Sequence, residues 1–597
     1  MDVDLQVPPL PGSGFAATMS SEMVLPPPAM LRQEISQAVA DLAFCELAAS
    51  SQWAAELSVA LPHMPGIDMD PPVLPQDPCR GIASGKLYSS VMLAKTHFSM
   101  REYGRAAHAL QGFKDLHRSP QALFLRLYAL YLAGEKRREE EAMEVADPAE
   151  KCQVKNAELK GIEELLVALH RKGALDGLGL YLYGITLRGL ELNEEARQVL
   201  LQSVFAFPCN WSAWLDLIAV SSDLNDMAGL RRSLAEAPRH WMVWFAQAAL
   251  HMECERNKEA NDIYTQLRRH FPDSSYILSQ LATCQYILID FHLSQSLFDD
   301  VRKRDPYKLT SLDTYSNILY VKEDSVALSI LARQAVKIDK YTPEACCIIG
   351  NYYSLKREHE KSVTYFQRSL CLKRSFTPAW ILMGHEYMEM KNAPAAIDAY
   401  RTAVNINPRD YRAWYGLGQT YELLNLHFYA LFYHRKAMTL RPEDARMWCA
   451  MAACYEHMDR KTEALKCYEK AYRCGERERM ALPQLARLNQ ELGDRRRAAA
   501  WYSEVLQQAS PGPGPLRASG SGLSTEVVEA FRFLMGFYRE EGKLAECEAC
   551  ANVLLDSEGP ERDEAKAILR DLRSASDGRD AHFAFSSAQD SVLTSRR

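Results

Sequence analysis

The stretch TPAWILMGHEYMEMKNAPAAIDAYRTAVNINPRDYRAWYGLGQTYELL, residues 377–424, holds one complete period of a pattern and the opening of the next. Trp380 returns as Trp414, Gly384 as Gly418 and Tyr387 as Tyr421, each 34 residues on. Outward from this stretch the same step reaches Trp448, Gly350, Ala452, Tyr353 and Tyr455. It also joins Ala396, Ala430, Ala464 and Ala498, while Pro272, Pro306, Pro408 and Pro442 stand where a unit should end. Five independent columns in one register establish an internal repeat.

A period of 34 with large apolar, small, aromatic, small and proline positions is the tetratricopeptide (TPR) pattern, a superhelical solenoid of antiparallel helix pairs. The columns have a packing reason. Trp380, Met383, Gly384 and Tyr387 fall at i, i+3, i+4 and i+7, one face of a first helix. Gly384 lets a second helix approach closely. Ala396, Tyr400 and Ala403 form the answering stripe, and Pro408 stops that helix. The expected class is all-α, with about 13–14 helix pairs.

Steps of 34 place units at 241, 275, 309, 343, 377, 411, 445 and 479. Upstream, LYLYGITLRGLELNEEARQVLLQSVFAFP fits a unit near 177, followed by a shorter one with Trp211 and Trp214. Weaker units read near 88 and 121, and a last one near 527–557. The expected organisation is a Pro-rich disordered leader over 1–30, a helical segment over 31–80 and an N-terminal array over 81–240 with a charged insertion near 135–155. A C-terminal superhelix with a peptide groove follows over 241–510, then a flexible linker at 511–524, a terminal repeat and cap over 525–572, and a disordered tail over 573–597 with Ser and Thr that a kinase can modify.

Composition narrows the function classes. The 597 residues carry 70 Lys plus Arg against 77 Asp plus Glu, a net charge of −7, which offers nucleic acid no basic footprint. No apolar run approaches the length of a membrane span. The 15 cysteines are odd in number and lie in helical sequence, which reads as reduced thiols in an intracellular protein.

Chemical motifs are sparse. His385, Glu386 and Glu389 begin like a zinc-protease helix, but the second histidine at i+4 is missing. Cys547 and Cys550 are a lone CxxC inside a repeat, where packing explains them better than half a zinc site. Cys346 stands in the tryptophan column, beside Cys347. Gly177, Gly179 and Gly184 follow no strand, so GLGLYLYG is not read as a phosphate loop. No catalytic residue, cofactor or metal is expected.

Function in such an array sits in the groove lined by first helices. Positions 2, 5, 9 and 12 of each unit point away from the core stripe. They are Thr310, Asp313, Asn317 and Tyr320; Glu344, Cys347, Asn351 and Ser354; Pro378, Ile381, His385 and Met388; and Arg412, Tyr415, Gln419 and Glu422. Position 9 thus reads Asn, Asn, His, Gln, side chains suited to a peptide backbone. Glu386, at position 10, either meets an arginine of a bound segment or is solvated or paired with a neighbouring repeat. A TPR co-chaperone gripping C-terminal carboxylates would want clustered Lys and Arg, yet these positions supply only Arg412.

The segments IGNYYSLKREHEKSVTYFQRSL and MGHEYMEMKNAPAAIDAYRTAVNINPRDYRAWYGLGQTYELL closely resemble the cell division cycle protein 23 family of anaphase-promoting complex (cyclosome) subunits. The similarity runs from about SSQWAAELSVALP through the last repeat. It implies a non-catalytic TPR scaffold within a cullin-RING ubiquitin ligase of the nucleus and cytoplasm, acting on mitotic regulators. It further implies contacts with sister TPR subunits, homodimerisation through the N-terminal repeats, and a C-terminal groove for the C-box of WD40 coactivators. In the family, an Asn of the GNYYSL segment and the Glu of GHEYMEM hold the C-box arginine; they match Asn351 and Glu386. The expected peptide-binding set is Asn351, Glu386, Asn317, His385, Tyr415 and Gln419, with no nucleic-acid or membrane partner.

Overall fold

The computed structural model describes residues 25–62, 85–113, 119–144, 155–221, 229–230, 240–475, 480–509, 525–555 and 562–570. Every regular element among them is helical. The leader up to residue 24, the part of the charged insertion at 145–154, the linker at 510–524 and the tail from 571 lie outside them.

The helices obey the register. Expected starts at 241, 275, 309, 343, 377, 411, 445 and 479 meet helices beginning at Met242, Ser275, Leu312, Pro343, Thr377, Tyr411, Ala445 and Ala481. Each pairs with a second helix, as Thr377–Glu389 does with Ala393–Ile406. The chain divides into two compact units, residues 1–338 and 339–597.

Side-chain columns explain why the repeat holds its shape. A Cβ on Gly350, Gly384 or Gly418 would come within 2.4, 2.6 and 2.4 Å of the Phe366, Tyr400 and His434 rings. The missing side chain is therefore the slot into which the second helix inserts its large residue. Trp214, Trp380, Trp414 and Trp448 each donate the indole N–H to the carbonyl six residues earlier, at Pro208, Arg374, Pro408 and Pro442. Those carbonyls lie past the end of the preceding helix, where intrahelical partners are missing. Cys346, in the same column, sets its Sγ 3.8 Å from the Lys340 carbonyl.

The backbone repeats as well. Glu255, Ile289, Glu323, Arg357, Lys391, Asn425 and Asp459, and then Gly493, all have positive φ, and all lie 34 residues apart. In the turn after Glu389, Lys391 N–H bonds to Met388 O and Asn392 N–H to Tyr387 O. This is the left-handed closure that satisfies the last carbonyls of a helix. The register is thus enforced even where the residue type disfavours the conformation.

In the first unit, the hairpin of Pro28–Phe44 and Ala48–Val59 docks far down the chain. The Trp53 ring stacks on Trp211 at 4.9 Å and meets Phe245 and Tyr276 edge-on. Ser50 Oγ donates to Asn210 Oδ1 at 2.8 Å, Glu34 pairs with His240 at 2.6 Å, and Lys308 reaches Glu56 at 3.2 Å. Phe245 and Tyr276 occupy positions 5 and 2 of the units at 241 and 275, so the chain's own hairpin covers first-helix positions that the sequence reading left for a ligand.

Candidate functional site

The second unit places five of the six expected peptide contacts on three consecutive first helices. Asn351 lies on Pro343–Leu355, His385 and Glu386 on Thr377–Glu389, and Tyr415 and Gln419 on Tyr411–Leu423. Asn317 belongs to the first unit, half-buried on Leu312–Val321.

Their exposure corrects the helical-wheel inventory. Asn351 is 3% exposed and Glu386 5%, so neither is an outward-looking residue. Cys347, Ile381 and Ser354, assigned to the groove, are buried too. Cys347 Sγ lies 3.6 Å from Ser369 Oγ, and Ile381 packs with Ala396, Tyr400 and Leu417. The physical reason is that a first helix in a stack packs on the repeats before and after it as well as on its own second helix. The apolar stripe is therefore wider than positions 4, 7, 8 and 11.

Glu386 is held by that preceding unit. Its Oε2 lies 2.9 Å from His359 Nδ1, at the start of His359–Leu372. Of the alternatives open from sequence, the carboxylate is paired with a neighbouring repeat in the free chain. A buried carboxylate carries a desolvation cost that an apolar residue at this position would avoid.

His385 turns the other way, exposed, with its Nδ1 2.7 Å from the Tyr400 hydroxyl and the two rings edge to face. Although the residue is solvent-accessible, crowding by protein atoms lowers its pKa to about 4, and the Arg412 charge adds to this. The ring is neutral near pH 7. Burial, and secondarily the Glu386 charge, pushes the Tyr400 phenol up, so it keeps its proton. The hydroxyl can then donate to a neutral imidazole at Nδ1.

Arg412 is held by Asp410, the N-cap of its own helix. Its Nε and Nη2 reach Asp410 Oδ1 and Oδ2 at 2.9 and 2.7 Å, and its backbone N–H caps on the same carboxylate. Burial opposes ionisation of Asp410, but these three contacts outweigh it and hold the carboxyl below its ordinary value. Tyr415 is half-buried and tilted against the His434 ring at 5.3 Å, and Gln419 is half-buried beside the core.

Sequence reasoning missed His359 and the polar role of Tyr400. His359 sits on a second helix, which the inventory did not scan, and Tyr400 was assigned wholly to packing. The zinc-protease resemblance dissolves: His385 and Glu386 face different partners and Glu389 is exposed. Cys547 and Cys550 lie in the terminal core with Phe531, Met535 and Leu554, and Cys547 Sγ–H points at the Met535 carbonyl.

Comparisons with known proteins return relatives along most of the chain. A family model described as anaphase promoting complex subunit 8 / Cdc23 matches residues 30–282, and one for the C-terminal domain of cilia and flagella-associated protein 70 matches 310–529. Anaphase-promoting complex subunit 8 of Arabidopsis thaliana is 46% identical over 490 residues, 82% of either chain. Its Dictyostelium discoideum counterpart is 41% identical over 82% of this chain and 87% of its own. The Saccharomyces cerevisiae subunit CDC23 is 30% identical over 62% of this chain and 70% of its own. Among solved structures, the APC/C hetero-tetramer Cut9-Hcn1 aligns with a TM-score of 0.54 at 15% identity, over 82% of this chain and 91% of that one. That likeness concerns the fold.

Proposed function

The chain belongs to the anaphase-promoting complex subunit 8/Cdc23 family, and from that premise we propose that it is a non-catalytic scaffold whose second unit captures an arginine-bearing segment of a WD40 coactivator, the C-box. The observation that carries the reading is the buried Glu386 carboxylate. A solenoid needs no charge at that position for packing, and His359 is its one side-chain partner among the contacts described. An incoming guanidinium would add a second, charge-assisted partner, which is what makes such a carboxylate selective for arginine.

Asn351, on the preceding first helix, supplies amide donor and acceptor groups for the peptide backbone. The exposed, neutral His385, with Tyr415 and Gln419 on the next first helix, extends the polar surface without adding charge. Asn317 enters the proposal on register alone. Homodimerisation through the N-terminal repeats, contact with sister TPR subunits, residence in nucleus and cytoplasm, and support for ubiquitination of mitotic regulators follow from family membership as part of the same proposal.

The test is coactivator-peptide binding to Glu386→Ala and Asn351→Ala in the full chain. Both variants should bind more weakly while keeping the helical spectrum and solution mass of the unmodified chain. Unchanged affinity in both would refute the site.

A further inference from the structure

Position 24 of the five units from 343 to 479 holds a large ring that fills the slot above the position-8 glycine or alanine. It is Phe366, Tyr400, Tyr468 and Tyr502 in four units and His434 in the unit at 411. His434 is wholly buried, yet neither ring nitrogen has a hydrogen-bond partner among the described residues. A buried imidazole without partners is costly, and a native structure that keeps one calls for an explanation.

Its neighbours in the column show what is different. Tyr468 and Tyr502 each reach back twelve residues, to Glu456 at 3.4 Å and Gln490 at 3.2 Å. Twelve residues before His434 stands Glu422. The imidazole is shorter than a phenol, and its Nε2 stops 3.7 Å from Glu422 Oε2, beyond hydrogen-bond range. Cys454, from the following first helix and also fully buried, brings its sulfur to the same place. One donor atom from each of the three residues lies within 4.8 Å of the others.

The geometry points to a tetrahedral Zn²⁺ site formed by Glu422, His434 and Cys454, with the fourth position left for water. Ligands around a tetrahedral zinc stand about 3.4–3.6 Å apart at ordinary bond lengths, so small movements close the site. The charges also balance: a carboxylate and a thiolate neutralise the dication beside a neutral imidazole, which suits a buried position. Binding takes Cys454 as the thiolate, so the thiol proton is released to solvent. Glu422, only half-buried, provides the way in. The ion would tie both helices of one unit to the first helix of the next.

A second trio, Glu34, Cys209 and His240, is equally close but already satisfied. His240 Nδ1 accepts from the Met242 N–H, its Nε2 faces Glu34 at 2.6 Å, and the Trp241 indole takes the other carboxylate oxygen. Hydrogen bonding accounts for that cluster completely.

The test uses the full-length chain, stripped with a chelator and titrated with Co²⁺ and then Zn²⁺. One Co²⁺ per chain should give a thiolate-to-metal charge-transfer band that Zn²⁺ abolishes. Cys454→Ala should lose the band. His434→Tyr should lose it too while folding normally, because it restores the column residue and its reach to Glu422. Zn²⁺ affinity should fall at least about 100-fold in both, no less than outer-sphere changes cause. Absence of the band from the unmodified chain, or its full persistence in either variant, would overturn the assignment.

Discussion

His359 Nδ1 lies 2.9 Å from Glu386 Oε2, joining the second helix of one repeat to the first helix of the next through a carboxylate that is 5% exposed. The pair holds Glu386 in place in the free chain. Its position is fixed by packing, and one of its oxygens is engaged by the His359 ring.

Removing His359 should expose that dependence. His359→Ala leaves Glu386 buried without its partner, at a cost of about 1–3 kcal/mol. The thermal midpoint should drop, and an arginine peptide should raise it by more than in the unmodified chain. Equal peptide-induced shifts would mean that His359 and a ligand do not share the carboxylate.

Gly384→Ala tests the slot. The added methyl would meet the Tyr400 ring at 2.6 Å, and a Cβ on Gly416 of the next helix would meet the same ring as closely. Overpacking of this kind costs about 1–3 kcal/mol. Hydrogen exchange across 377–406 should accelerate, whereas unchanged protection would show that the ring can move aside.

Stability should depend on His385 protonation in one direction. Its folded-state pKa of about 4 lies below the ordinary value of about 6.5. Between the two, the unfolded chain holds a proton that the folded chain does not, so the residue's contribution falls as pH drops through this window and is constant above it. His385→Gln should lose less thermal stability than the unmodified chain between pH 7 and pH 4.5. Parallel curves would contradict the assignment.

The docked N-terminal hairpin rests on Trp53, whose ring contacts Trp211, Phe245 and Tyr276. Trp53→Ala should cost about 3–5 kcal/mol locally. Limited proteolysis should then cut within 28–59 first, leaving the array intact; wild-type resistance would mean that the polar contacts of Glu34, Ser50 and Glu56 suffice.

The repeat was legible because its constraints are local and periodic. Trp380, Gly384, Ala396 and Pro408 each answer a packing need that recurs every 34 residues, so the helix starts of eight units could be read within three residues. The hairpin's docking was not legible, because no periodicity links Trp53 to Trp211. At the candidate site, the helices that carry these residues were legible and the directions of the side chains only partly so. A wheel assigns one face to the core, but a stacked helix is covered on two sides, which is why Asn351 and Glu386 are buried. His359 and His434 escaped notice because second helices were read for packing alone.

Recognition of an arginine on another protein by Glu386 is the step on which the proposed function turns. Its most direct measurement is a double-mutant cycle by calorimetry, pairing the full chain and Glu386→Gln with a C-box peptide and its Arg→Ala form. The account predicts a coupling of about 1.5–3 kcal/mol, the range for a hydrogen bond to a charged group. If the arginine contributes equally to binding with and without the Glu386 carboxylate, the account is wrong.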